Sequence, residues 1–152
     1  MDPVSPAHAP FVHRLRTRYG ETDQMGRIHH ANFLLYLEEA RTRMLAHAGV
    51  PYGELERQGV GLVVRSVELR FRAAALFDQE LEIEVRVDAL KGASLTLGYE
   101  IRCGAEWLVS ASTQLACVDL AARPAAVRAL PEPLLRRLSP YALAPGSGPR
   151  RA

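Results

Sequence analysis

The sequence predicts an α+β domain in which one antiparallel sheet wraps around a single long helix. Three observations predict it. Past residue 62, apolar and charged residues alternate. In "ELEIEVRVD" (80–88), for example, Leu81, Ile83, Val85 and Val87 share one face and only charges occupy the other. The breaks between these stretches, "FDQ", "LKGA" and "CGAE", are short enough for antiparallel hairpins. Ahead of them lies a long helical stretch. Its first turns, Phe33, Leu34, Leu35, Tyr36 and Leu37, are apolar all round, the mark of a buried helix. A sheet with one wet face must cover the other, and this helix is the only large apolar element available.

"FVHRLRTRY" (11–19) alternates Phe11, His13, Leu15 and Thr17 against Val12, Arg14, Arg16 and Arg18, and reads as the first strand. The polar segment "ETDQMGRIHHANF" (21–33) leads into the helix, which runs from about Ala31 to Ala48 and is stopped by Gly49 and Pro51. "PYGELERQG" (51–59) adds a short helical turn. Four more strands follow: "VVRSVELRF" (63–71), "ELEIEVRVD", "LTLGYEIRC" (95–103) and "WLVSASTQLACVDL" (107–120). That makes five strands, and "LPEPLLRRL" suggests a closing helical turn. Both ends are rich in Pro, Gly and Ser without apolar periodicity. The expected division is a flexible tail at 1–10, a folded domain at 11–138 and a second flexible tail at 139–152.

A chain of 152 residues suits one domain with a real core. Its net charge is +2 with acids and bases interspersed, which gives nucleic-acid binding little support. Lys91 is the only lysine in a chain whose positive charge is otherwise arginine. Cys103 and Cys117 are far apart in apolar strand-like runs, so both are expected to be buried free thiols in a reducing compartment. No apolar run approaches membrane-spanning length, and "MDPVSPAHAP" lacks the basic and apolar regions of a secretory signal. The expected location is cytoplasmic, without membrane insertion.

The segment at 21–33 concentrates the chemistry. Asp23 reads either as a turn residue or as a carboxylate held at the start of a buried helix. In the second case it would lie beside backbone N–H groups that lack intrahelical partners at the positive end of the helix. A metal site fits poorly. His29 and His30 are adjacent and would diverge in an extended segment, and there is neither an H-x-x-x-H pattern nor a Cys partner. Glu38 and Arg41 are spaced for an ordinary helix ion pair. Arg65 interrupts a face formed by Val63, Val67, Leu69 and Phe71, so it is either a strand-end charge or the partner of an anion. Lys91 reads as an exposed turn lysine, with Gly92 suited to positive φ.

The order of elements, together with D-x-x-G-x-I-x-H-x-N-F-x-x-Y-x-E-x-A-R from Asp23 to Arg41, resembles the hotdog-fold acyl-CoA thioesterases. The likeness is to the 4-hydroxybenzoyl-CoA thioesterase type, including the bacterial thioesterases associated with the Tol–Pal system. It spans roughly 11–138 and includes "FRAAALFDQELEIEVRV", "LKGASL", "CVDL" and "ALPEPL". The chain departs from the family in having Ala where Pro is usual, at Ala73 or Ala74, and His29 where relatives often carry an aromatic residue. The resemblance implies a five-stranded sheet around a central helix and hydrolysis of an acyl-CoA to CoA and a free acid, with no metal or other cofactor. It implies Asp23 as general base or nucleophile, the amide of His30 as oxyanion donor and Glu38 as a second acid at the site. It also implies Lys91 and Ser94 at the nucleotide end of CoA, and His29 and Arg65 along the substrate channel or dimer seam. Family members pair as dimers, often as tetramers, with the site between subunits. A hotdog domain that binds acyl-CoA without turnover is the alternative.

Overall fold

Alternation in the second half of the chain becomes a curled antiparallel sheet, and the apolar stripe of the long helix packs on its inner face. The computed structural model describes residues 9–142. In chain order the elements are β1 (Phe11–Arg16), α1 (Asn32–His47), α2 (Tyr52–Arg57), β2 (Val60–Phe71), β3 (Glu80–Lys91), β4 (Ser94–Cys103), β5 (Glu106–Asp119), β6 (Ala126–Val127) and α3 (Glu132–Leu138). The strands lie in the order β1-β3-β4-β5-β2, all antiparallel, with the two-residue β6 beside β5. This is the hotdog arrangement. The short β6, invisible as a periodic pattern, brings the described strands to six.

Leu81, Ile83 and Val85 of β3, Leu97, Tyr99 and Ile101 of β4 and Leu115 of β5 meet Phe33, Leu37, Ala40 and Met44 of α1 in one core. Burying each of the larger side chains contributes on the order of 2 kcal/mol. The β3–β4 and β4–β5 connections are two-residue turns, Gly92-Ala93 and Gly104-Ala105, with φ of +60° and +57° at the glycines. Glycine first in a two-residue hairpin loop is the requirement of a type II′ turn, whose twist matches that of the strands.

Four expectations are corrected. "FDQ" is not a hairpin, because β2 lies at the far edge of the sheet from β1 and, among the described residues, pairs with β5 alone. Residues 72–79 therefore cross over, and they bridge to the polar loop before α1 at Arg27–Leu76. Second, α1 is not buried all round: Leu34 is 45% exposed and Leu35 61%. A single sheet covers only one side of a helix. Third, Arg65 does not interrupt a face. It is the extra residue of a β-bulge between Val64 (opposite Leu115) and Ser66 (opposite Gln114). The bulge resets the alternation, so Val63 points away from the face shared by Val67, Leu69 and Phe71. Fourth, the ordered chain passes residue 138. Ser139–Tyr141 forms a 3-10 turn, and the Tyr141 hydroxyl lies 2.6 Å from His47 Nδ1 at the end of α1. The rest of both expected tails, 1–8 and 143–152, lies outside the described residues. Cys117 is buried, Cys103 is half-buried, and neither is in a disulfide.

The outer face of the sheet carries its own charged cluster. Arg86 on β3 donates from Nε to Asp88 at 2.9 Å and lies 3.6 Å from Glu100 of β4. Its guanidinium lies across Gly98, where a Cβ would come within 2.5 Å of both Arg86 and Asp88. Burial pushes the Glu100 carboxyl above its usual pKa, and the Arg86 charge offsets this only in part. A raised folded-state pKa means that the folded protein holds the proton more tightly than the unfolded chain. The resulting stability is fully present below the ordinary value of 4.5 and is lost as pH rises through the raised value. Glu100→Gln removes that loss. Thermal melts of parent and variant from mildly acidic to neutral pH should therefore show the variant gaining on the parent as pH rises, and a pH-independent difference would contradict the assignment.

Candidate active site

Asp23 sits at the mouth of a small hairpin that is zipped to the rest of the chain on both sides. Thr22 and Ile28 form a bridge, Asp23 N–H donates to Arg27 O at 2.7 Å, and Gly26 N–H donates to Asp23 O at 3.0 Å. Gly26, at φ +75°, turns the chain in a conformation that L side chains rarely adopt. The half-buried Asp23 carboxylate accepts N–H bonds from Met25 (2.8 Å) and Arg27 (3.1 Å), both at Oδ1. Oδ2 has no hydrogen bond among the described residues. One oxygen is thus anchored, and the other is available to a water or a substrate.

The hairpin is fastened to α1 and to the crossover. His29 N–H donates to Glu21 O at 2.8 Å, and Ile28 N–H to Ala75 O at 2.8 Å. The first N–H groups of the helix region are then used up by short local bonds. Ala31 donates to His29 Nδ1, Asn32 to His29 O, Phe33 to His30 O and Leu34 to Ala31 O. The amide of His30 has no such partner among the described residues. It is the one free donor of this turn, and it sits at the positive end of a helix.

The His29 and His30 side chains are exposed and do not diverge. Their rings stack at 4.2 Å, because the chain between them is already turning into α1. No group of three His, Cys, Asp or Glu side chains able to hold a metal occurs among the described residues.

Other predicted residues are not brought together within one chain. Glu38 is exposed, on the open side of α1 with Leu34 and Leu35, and forms no ion pair with Arg41 among the described residues. Eight residues of helix put it about 12 Å along the axis from His30. Arg65 is exposed on β2, six residues before Phe71, whose ring packs 5.5 Å from Phe33 at the helix start. Lys91 and Ser94 face each other across the β3–β4 turn. The Asp23 loop joins the other end of β3, where Thr17 donates to Gln79 O. The eleven steps from Glu80 to Lys91 span about 36 Å of strand. Lys91 itself is exposed, and Ser94 Oγ lies at 3.5 Å from Gln114 Nε2.

Two residues at the site carried no assigned role from sequence. Glu21 receives His29 N–H and Asn32 Nδ2 on its carbonyl, while its carboxylate accepts Arg18 N–H at 2.7 Å. Asn32 joins Glu21 O and His29 O through its side-chain amide. The signal for Asn32 was its place at the first turn of the helix, where Asn tends to bond nearby backbone. Tyr36 is buried one turn on, and its hydroxyl has no hydrogen-bond partner among the described residues. Burial first, and then the nearby Glu21 carboxylate, hold its pKa above that of an ordinary phenol, although no hydrogen bond of normal length joins the two.

Residues 17–138 match the family model of the thioesterase-like superfamily. The chain belongs to that superfamily. Within the family it is similar to the acyl-CoA thioester hydrolase YbgC of Escherichia coli, at 32% identity over 123 residues, covering 80% of this chain and 90% of that one. Among solved structures it is similar to a hypothetical protein from Thermus thermophilus, with TM-score 0.80 and 35% identity over 86% of this chain and 98% of the other. A 4-hydroxybenzoyl-CoA thioesterase variant complexed with 4-hydroxybenzoyl-CoA shares the fold, with TM-score 0.78 at 16% identity over 86% of this chain and 99% of the other.

Proposed function

We propose that this family member is an acyl-CoA thioesterase, hydrolysing an acyl-CoA to CoA and a free acid, with Asp23 as general base or nucleophile. The observation that carries the reading is the pairing of a carboxylate with one free oxygen and an unpartnered helix-start amide on the same fastened loop. The kinship with proteins named acyl-CoA thioesterases supports it. As general base, Asp23 takes a proton from water. The resulting hydroxide adds to the thioester carbon, the oxyanion is received by His30 N–H, and the C–S bond breaks to release CoA thiolate, which is then protonated. As nucleophile, the carboxylate itself adds, CoA thiolate leaves, and water hydrolyses the mixed anhydride. Both routes need the same two groups, and neither calls on a metal or other cofactor.

The rest of the reading requires a second copy. Lys91 and Ser94 lie too far along β3 to share one substrate with Asp23 of the same chain, so their contact with the nucleotide end of CoA belongs to a homo-oligomer, a dimer or a tetramer. Exposed Leu34 and Leu35 on α1, and Val64, Val67 and Phe71 on edge strand β2, support such pairing. His29, Glu38 and Arg65 belong to the same composite channel. Two cysteines free of disulfides suit a cytoplasmic location. No helix among the described residues is long and apolar enough to cross a membrane.

Asp23→Asn keeps the Oδ1 acceptor and the loop while removing the charge. It should keep the parental melting temperature and lose at least about 10²-fold in kcat toward acyl-CoA. A variant with near-parental kcat would remove Asp23 from the mechanism. Lys91→Ala should raise KM for acyl-CoA and leave kcat nearly unchanged, since a phosphate contact remote from the chemistry is made equally in ground and transition states. It should also reduce the salt dependence of KM and leave a truncated thioester without the nucleotide unaffected. An unmoved KM would make Lys91 a turn lysine only.

A further inference from the structure

The His29–His30 peptide is held from one side only. Its carbonyl oxygen accepts two donors from a single residue, Asn32 N–H at 3.0 Å and Asn32 Nδ2 at 3.3 Å. The same Nδ2 also donates to Glu21 O at 3.0 Å, and Glu21 O in turn receives His29 N–H at 2.8 Å. One side-chain amide therefore ties together the two strands of the Asp23 hairpin at its base and grips the peptide that follows. The His29–His30 bond is trans, so its N–H points away from its C=O. Fixing the carbonyl toward Asn32 therefore aims the His30 N–H away from Asn32, where no acceptor among the described residues meets it.

We propose that Asn32 is a positioning residue for hydrolysis, which aims and polarises the His30 amide for the thioester oxyanion. The proposal rests on the reading of Asp23 and His30 given above. Aim comes from geometry: two hydrogen bonds on one carbonyl leave the peptide plane little freedom to swing. Polarisation comes from electronics. Donors on the carbonyl oxygen draw density out of the shared amide and make its N–H a stronger donor, by about 10–30% per bond in condensed-phase estimates. Asn32 touches neither the substrate nor the attacking water in this scheme. It acts through His30.

The arrangement also separates this role from mere support of the fold. Without the Asn32 side chain, Glu21 O keeps His29 N–H and His29 O keeps Asn32 N–H, both from the main chain. The hairpin should close without it, and only the second bond on each carbonyl is lost.

The test compares Asn32→Asp with Asn32→Ala by steady-state turnover of an acyl-CoA and by thermal melting, with Asp23→Asn run alongside. Aspartate matches the shape of asparagine and suits a helix start, but it has no donor and opposes two carbonyl oxygens with negative charge. A space-filling role predicts that Asn32→Asp is tolerated and Asn32→Ala is not. The positioning role predicts that both lose about tenfold or more in kcat, Asn32→Asp at least as much as Asn32→Ala, with KM within about twofold of the parent. Cooperative melting should persist in both. Parental kcat in Asn32→Asp, a loss confined to KM, or loss of cooperative melting in both variants would each overturn the proposal. The control separates the two layers of the argument. An active Asp23→Asn removes Asp23 from the mechanism and with it the site on which the proposal rests, whereas an inactive Asp23→Asn beside unaffected Asn32 variants defeats only the role given to Asn32.

Discussion

The packing of α1 against the inner face of one curled sheet is the constraint on which the rest of this chain depends. Phe33, Leu37, Ala40 and Met44 can be buried only if the helix lies along β3 and β4, antiparallel to β1. That direction decides which end of the molecule holds the helix start. It puts Phe33 beside Phe71 and puts His47 beside Phe11 and Tyr141. The loop from β1 to α1 then has to pass the crossover 72–79, and the bonds from Ile28 to Ala75 and from Thr17 to Gln79 fasten it there. The Asp23 carboxylate and the helix-start amide of His30 therefore lie on one loop at that end.

The same constraint leaves the fold unfinished on one side. One sheet covers one side of a helix, so Leu34, Leu35 and Glu38 face outward, and edge strand β2 carries exposed Val64, Val67 and Phe71. The residues assigned to the two ends of an acyl-CoA likewise lie at opposite ends of β3. Under the proposed function, a second copy would cover the apolar side and supply the far end of the site. The Arg86–Asp88–Glu100 cluster, by contrast, pairs its charges within the chain, although Glu100 Oε2 has no hydrogen-bond partner among the described residues. Gly98 makes room for it, and the buried Glu100 and half-buried Asp88 carboxylates both face Arg86.

Most of the architecture was legible in the sequence, since period-two alternation in "ELEIEVRVD" and "LTLGYEIRC" names both a strand and its inward face. Pairing was harder to read. "FDQ" resembles a hairpin break, yet strand order is set by which edge the crossover reaches, and no local pattern records that. Arg65 misled for a related reason: a bulge adds one residue and reverses the parity of everything beyond it, so Val63 and Val67 share a face only on paper. At the site, Asp23 and the histidines stood out through their chemistry, and the family resemblance ordered them. Asn32 and Glu21 carried no assigned role because they work mainly through backbone carbonyls, and carbonyls have no letter in a sequence. The stacking of His29 on His30 was missed because it depends on where the extended segment ends and the helical turn begins, a boundary that differs by a residue or two between readings.

Turnover of an acyl-CoA distinguishes a hydrolase from a binding protein most directly. Purified protein would be incubated with a panel of short-chain, long-chain and aromatic acyl-CoA esters, and free CoA thiol would be followed over time. The account predicts that at least one ester releases thiol continuously, in large molar excess over the protein. Saturable binding of acyl-CoA across the panel, with thiol release no greater than in protein-free controls, would contradict it and make the chain a binding member of a hydrolytic family.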